Sequence, residues 1–497
     1  MNSKKPVKFI PVFLIFALIL IVFASCQTNT GGDGGTTKEP GSDSDSVKGT
    51  EEQTGELSDN LPDDLDFGGA TVNIAYRLLD ASYPCCNDFT AEGETGDIFN
   101  DAKFRRNMAV EERLNVTLNF IPEPYASMPG KLRASILAGD NAYDIIAGSM
   151  FSNGNVSGLA LDGLFMNLKD VPHIDFEKPW WYQSIVSGAT IGNKLHFIAG
   201  DANLSVLMSS MLLFVNKKLM QEYTLPDVYN VVIDGKWTID YMISYIKDVH
   251  KDLNGDGVMD KNDLYGFISP NYASFFNAFM EGAGIQVTKI GSDGNPYFDM
   301  PVERMSALAD KVCELLYNNP SSFITAGGDG VDENMFRNNQ ALFIPYAIQD
   351  AVYWKEMESD FGMVPYPKFD EAQEKYYSSV WEGCTLFSIP VNSVTPEMAG
   401  AVMEAFSFES YRTTTPVYFD IVLKLKEARD ETTSKMLDII RNGAYIDFST
   451  IYNSQIGNPW DALHASTQRG SNNFASWYES NEPRIRTAIE KLIESME

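Results

Sequence analysis

Behind Lys4, Lys5 and Lys8 the chain opens with an unbroken apolar run from Phe9 to Ala24. The run is shorter than the roughly 20 apolar residues that span a bilayer, and it ends on Ala24-Ser25 before a cysteine, so it predicts a signal peptide over residues 1–25. From Gln27 to about Asn60 the residues are Gly, Ser, Thr, Asp and Glu with almost nothing apolar. Such a stretch cannot bury enough surface to offset its ordering entropy, which predicts a disordered linker over residues 26–60. Beyond it the pattern changes. Ala70 to Ala75 alternates apolar and polar and predicts a strand, and Gly96-Asp97 opens an amphipathic helix through Phe99, Ala102, Met108 and Leu114. A strand at 116–120, a short helix over 132–137 closed by Gly139, and a buried strand at 143–147 follow.

Strand, helix, strand, helix, strand is the order of an α/β body whose sheet is mostly parallel, and ligands of such sheets collect at the carboxyl ends of the strands. The Gly148-Ser149-Met150 loop is therefore a candidate pocket edge, with Ser149 as its polar side chain. A second group of signals begins with an apolar strand at 212–215 running into a helix. Thr238 then reads as the N-cap of a helix carrying Ile239, Met242, Ile243 and Ile246. Short apolar strands at 341–344 and 386–389 each precede a helix, over 349–357 and 396–408, and the last eighty residues read as mainly helical. No repeat of solenoid or propeller length is present.

The length past the linker suits two or three domains. The formal charge of −30 excludes nucleic acid as a partner, because neutralising phosphates needs a basic face. A neutral or cationic solute suits such a surface better than an anion. Cys26 sits where a bacterial lipobox places its acylated thiol, which predicts lipidation there and a protein tethered to the outer face of the cell membrane. The other cysteines, Cys85, Cys86, Cys313 and Cys384, allow three pairings, among which the sequence does not choose.

Several short motifs occur in a characteristic order: Tyr143-Asp144-Ile145-Ile146, Pro179-Trp180-Trp181, Gly192-Asn193-Lys194-Leu195-His196, Phe214-Val215-Asn216-Lys217, Gly235-Lys236-Trp237-Thr238, and an Asn-Gly-Asp-Gly loop ending in Tyr265-Gly266-Phe267. In that order the chain resembles family 1 extracellular solute-binding proteins, above all their Gram-positive lipoprotein branch. The resemblance implies an α/β, two-lobe periplasmic-binding-protein-like fold of type II whose lobes are joined by hinge crossovers and close on a ligand. It places the crossings near residues 199–210, 365–380 and 411. One lobe then takes residues 67–205 plus 381–410, and the other takes 206–380 plus 411–497. It further implies a monomeric receptor that passes a small solute, a mono- or oligosaccharide, to the membrane subunits of an ABC importer. A surface glycan-binding lipoprotein without a permease, and a receptor for a peptide or polyamine, are the alternatives.

The loop Asp252-Leu-Asn254-Gly-Asp256-Gly-Val258-Met-Asp260-Lys-Asn-Asp263 places side-chain oxygens at its first, third, fifth, ninth and twelfth positions and glycine at the sixth. This is EF-hand spacing, with the Val258 carbonyl at the seventh position, and it predicts a structural Ca2+; the competing reading is a solvated turn.

Sugar sites combine flat aromatics with carboxylates and amides, whereas most tryptophans simply fill core. Trp381, beside Glu382 and Gly383 and just before an apolar strand, is the leading candidate platform, and Trp180 is the second. Asp201 and Asn203 lie at the first crossing, where they either face the ligand or form a turn. Tyr346 and Gln349 follow an apolar strand into a helix start, to meet hydroxyls or to pack between lobes. No GxSxG, HExxH, P-loop or GxGxxG is present, and no acid pair is marked for glycoside hydrolysis, so the reading is of a binding protein rather than an enzyme.

Overall fold

The computed structural model describes residues 57–78, 88–150, 155–381, 383–424 and 431–496. The signal peptide, the linker up to residue 56, Cys26, Cys85, Cys86 and Glu382 therefore lie outside the described residues.

The first sheet is ordered Thr385–Ser388, Ile145–Ser149, Ala70–Leu78, Val116–Pro124. Its last three strands are parallel and Thr385–Ser388 is antiparallel. Alternation along Ala70–Leu78 sends Val72, Ile74 and Tyr76 into one core and Ala75 into another, so both faces of the sheet are covered. The helix Ile98–Leu114 covers one face; Asp97 caps it by accepting the Asn100 N–H, and Asn115 ends it in the left-handed conformation. Met128, Leu132 and Ile136, four apart, form the buried stripe of the helix Met128–Ala138, which starts four residues earlier than its pattern suggests. The strand read at 143–147 is shifted by two. Asp144 stays outside it because its carboxylate accepts the Asn73 N–H at 2.8 Å and the Thr395 hydroxyl at 2.7 Å.

The second sheet is ordered Ser322–Thr325, Leu264–Pro270, Ala341–Ala347, Met211–Asn216, Phe361–Val364, with His250–Lys251 along one edge. Met211–Asn216 runs against its neighbours, and the three strands Leu264–Pro270, Ser322–Thr325 and Ala341–Ala347 are parallel. The helix Ile239–Ile246 starts at Thr238, whose side chain accepts the Tyr241 N–H. The segment read as a helix over 349–357 is a 3-10 helix, Ile348–Trp354.

Two α/β lobes result, and the chain passes between them three times. Ile198 is bridged to Phe387 in the first lobe, a turn at 200–203 and the short helix Leu204–Met208 follow, and the chain enters the second sheet at Met211. It returns through Val380, bridged to Ser210. The third passage runs through Pro396–Glu409 and Thr415–Lys424, the latter lying between the helices Ile98–Leu114 and Glu431–Asn442. Ala444–Tyr445 pairs with Ser378–Ser379 beside the second passage, and the helices Ala462–Thr467 and Phe474–Met496 pack on the second lobe. Cys313 and Cys384 are both buried.

Candidate functional site

Both sheets turn the carboxyl ends of their parallel strands toward the crossings. In the first lobe that end is Ser149, paired with Thr385, and in the second it is Ala347, paired with Met211. Ser210 and Val380 bridge the two returning chains between them. Trp381 sits on this junction. Its backbone N–H donates to the Ser209 carbonyl at 3.0 Å, and its partly buried ring packs on core residues around the junction. The indole lies flat against Gly383: a Cβ there would stand 2.2 Å from the ring, so only glycine lets the ring fold back. Ser149 is buried at the strand end and bridged to Asn155.

From the second lobe, the Tyr346 hydroxyl donates to Asp332 at 2.6 Å and to Glu333 at 3.3 Å. Its ring meets Phe275 and Trp354 edge-on. Burial pushes the Asp332 carboxyl up, and the Tyr346 hydrogen bond partly offsets this. Gln349 is buried one turn on. Asp350 accepts the Ala347 N–H at 2.9 Å; burial lifts it to about 7, with Glu333 adding to the rise.

Two groups here have no counterpart among the sequence candidates. Tyr272 directly follows the strand Leu264–Pro270 and is 44% exposed, with its ring on Gly327 and Gly328, where an added Cβ would come within 2.7 Å at each. Asn271 lies 3.0 Å from the His464 ring nitrogen. The signal was readable: an aromatic at the carboxyl end of one parallel strand, and the Gly-rich 327–330 loop just past the end of the next.

The profile of the family described as bacterial extracellular solute-binding protein matches residues 107–409, more than half of the chain. The chain belongs to this family. The assignment makes it an extracellular solute-binding protein, and no helix among the described residues is long and apolar enough to cross a membrane. The fold agrees. The GacH receptor of Streptomyces glaucescens, solved unliganded and with acarbose, is 12% identical over 86% of this chain and 100% of its own, with a TM-score of 0.51. A cyclo/maltodextrin-binding protein complexed with maltotetraose is 13% identical over 86% of this chain and 97% of its own, TM-score 0.54. UgpB from Mycobacterium tuberculosis, in complex with glycerophosphocholine, is 13% identical over 86% and 100%, TM-score 0.53. No curated protein matches in sequence.

Of the solute-contact candidates of this family member, the structure brings Trp381, Ser149, Tyr346 and Gln349 to the junction of the sheets and assigns three others to the scaffold. Trp180 is buried to 1% exposure, packs edge-on against Phe408, and donates its indole N–H to Glu404 at 3.1 Å. Trp181 donates to the other oxygen of Glu404 at 3.0 Å, so Pro179-Trp180-Trp181 is a clamp around one buried carboxyl rather than a stacking platform. Asp201 binds Arg441 through both oxygens, at 2.9 and 3.1 Å, with the Thr415 hydroxyl beside them. Asn203 closes its turn by accepting the Gly200 N–H and donates to Thr385. Both are consumed in holding the crossing, because a charged or amide group buried there needs every partner it can reach.

The Asp-rich loop turns its carboxylates onto its own amides. Asp252 accepts the Gly255 and Gly257 N–H groups at 2.6 and 2.9 Å, which hold it below the usual carboxylate range. Asp263, fully buried, accepts from Leu253 and Asp260. Among the described residues no three Asp, Glu, His or Cys side chains gather as a ligating group.

Burial raises several carboxyls above their ordinary values, among them Glu404 to about 8, Asp350 to about 7 and Asp201 to about 6. Each binds its proton more tightly folded than unfolded, so each lowers stability as pH climbs from its unfolded to its folded value. The buried imidazoles of His196 and His464, held below their usual value, act oppositely but only below about 6.5. Stability is therefore expected to fall by about 2 kcal/mol between pH 6.5 and 8, mainly through Glu404. Urea melts across that window check it, and a flat or rising profile contradicts the reading.

Proposed function

We propose that the protein captures a hydroxyl-rich solute, a mono- or oligosaccharide, between its lobes and delivers it to the membrane subunits of an ABC importer. The observation that carries this is Trp381, held flat against Gly383 at the point where the carboxyl ends of both sheets meet. With Tyr272 and Tyr346 it supplies aromatic faces for sugar C–H surfaces, and Asn271, Gln349, Asp332 and Glu333 supply hydrogen-bonding groups. The fold neighbours solved with acarbose and with maltotetraose support the same class. The protein acts by binding and closing, without covalent change to its guest. Contacts made with both lobes are what let a ligand favour the closed form. The Asp332, Glu333 and Asp350 carboxylates favour a second reading, a cationic solute such as a polyamine.

A thermal-shift panel of mono- and oligosaccharides, amino acids, peptides and polyamines tests both, since a ligand bound only by the folded form raises Tm. A sugar shift supports the main reading; a shift confined to polyamines replaces it. Cys26 carries the lipid anchor in this proposal, which intact-mass measurement of membrane-extracted protein and a Cys26→Ala variant released to the medium check.

Calcium belongs to the same proposal. The all-oxygen set of Asp252, Asn254, Asp256, Asp260, Asp263 and the Val258 carbonyl suits a hard dication, which would relieve repulsion among four carboxylates. Millimolar Ca2+ is expected to raise Tm by a few degrees, and Asp252→Asn to remove that gain. Equal shifts with Mg2+, or no shift, count against a calcium site.

A further inference from the structure

A cavity of about 500 Å3 opens between the lobes, walled by residues 177–184 and Ser187 of the first lobe and by Gln286, Lys375, Tyr377 and residues 441–445 of the second; Trp381, Tyr272 and Tyr346 are not among its lining residues. It is separate from the proposed cleft. Tyr272 precedes the helix Ala273–Gly282, whereas Tyr377 packs just beyond that helix, where a Cβ on Gly284 would be 3.3 Å from its ring. Ten residues at about 1.5 Å each place about 15 Å between the two.

The chemistry of the wall is specific. Tyr182, Tyr377 and Tyr445 line it, the last two edge-on at 6.0 Å, and Gln183, Gln286 and Asn442 bring amides that both donate and accept. Charge is balanced locally, unlike the protein as a whole. Lys178, Lys375 and Arg441 face the acid Glu177, with Asp175 3.7 Å from Lys178 and the buried Asp201 on Arg441. Arg441 spends its terminal nitrogen on Asp201, and the Tyr182 hydroxyl lies against its guanidinium. Balanced charge, aromatic rings and amides together match a neutral polyhydroxylated ring.

We propose that this cavity is a second carbohydrate site, independent of the cleft, whose occupant touches both lobes. It goes beyond the proposed transport function, although its probes are of the same chemical class. Because one wall belongs to each lobe, an oligosaccharide held here is fixed to the outside of the hinge while the cleft engages its own guest.

The test uses maltoheptaose, cellohexaose and xylohexaose as probes and titration calorimetry on the folded body. Trp381→Ala, which disables the cleft, is expected to retain binding of at least one probe. Adding Ser187→Trp, which plugs the cavity from an exposed helix position, or Tyr377→Ala, is expected to weaken that residual binding at least tenfold with Tm unchanged. Residual binding that survives both additions overturns the second site. So does wild-type binding that Trp381→Ala abolishes for every probe, an outcome that leaves the cleft reading standing. A wild-type protein that binds none of the three overturns this proposal and removes the oligosaccharide form of the first. A Tyr377→Ala protein that fails to fold leaves the decision to Ser187→Trp, which removes no core atom.

Discussion

Replacing Trp381 with alanine is expected to weaken solute binding by about a hundredfold, within the 2–4 kcal/mol that a central aromatic anchor contributes at an interface. The ring stands at the sheet junction and packs on buried core there, so its loss removes an aromatic surface from the junction. Gly383→Ala gives a sharper version. The added methyl would sit 2.2 Å from the indole, which cannot be accommodated without moving the ring, yet no ring atom is deleted. Affinity is expected to fall at least tenfold while the urea midpoint changes little, because Trp381 is only partly buried. Calorimetry with the solute found in the thermal-shift panel reads both effects. Wild-type affinity in Gly383→Ala, with the ring displaced in its structure, would remove Trp381 from the site.

That Trp381 stands at a chain crossing was legible from the sequence because its neighbours are local: a glycine two residues on, and an apolar strand after that. The strands were legible for the same reason. Alternation along 70–75 and apolar runs at 212–215 and 341–344 are properties of a few consecutive residues. Trp180 was not, because its role is decided by Glu404, more than two hundred positions away, and a tryptophan followed by another in a Pro-containing loop gives no sign that a buried carboxyl will claim both indoles. For Asp201 the turn was legible and the ion pair was not. Gly-Asp-Ala-Asn reads as a turn, and the turn exists, but the turn does not announce that Arg441 will reach across to it. Tyr272 was missed although its signal was local, because an exposed tyrosine looks ordinary until the glycine loop past the neighbouring strand is placed beneath it.

Asp201→Ala is expected to be the most destabilising single change at the hinge, by roughly 3 kcal/mol, because deleting one partner of a buried ion pair strands the other. Asp201 is almost fully buried, and burial lifts its carboxyl to about 6 while Arg441 restrains the rise, so at pH 7 it is ionised. Arg441 in turn is held charged by Asp201. Without Asp201 the guanidinium would lose the acceptor that takes its terminal nitrogen on both oxygens. The pair joins unlike parts: Asp201 lies on the first crossing, while Arg441 ends the helix Glu431–Asn442, which packs on the Phe361–Val364 strand of the second sheet. Loss of the pair therefore loosens the angle between crossing and lobe as well as lowering stability. Asp201→Asn, which keeps the shape and one acceptor oxygen, is expected to lose less stability than alanine but to share its effect on the hinge. Urea melts separate the two variants, and small-angle scattering with and without solute reads the hinge. If Asp201→Ala melts like the wild type and closes to the same radius, the pair holds nothing, and the lobes are set by the apolar contacts around Trp381 alone.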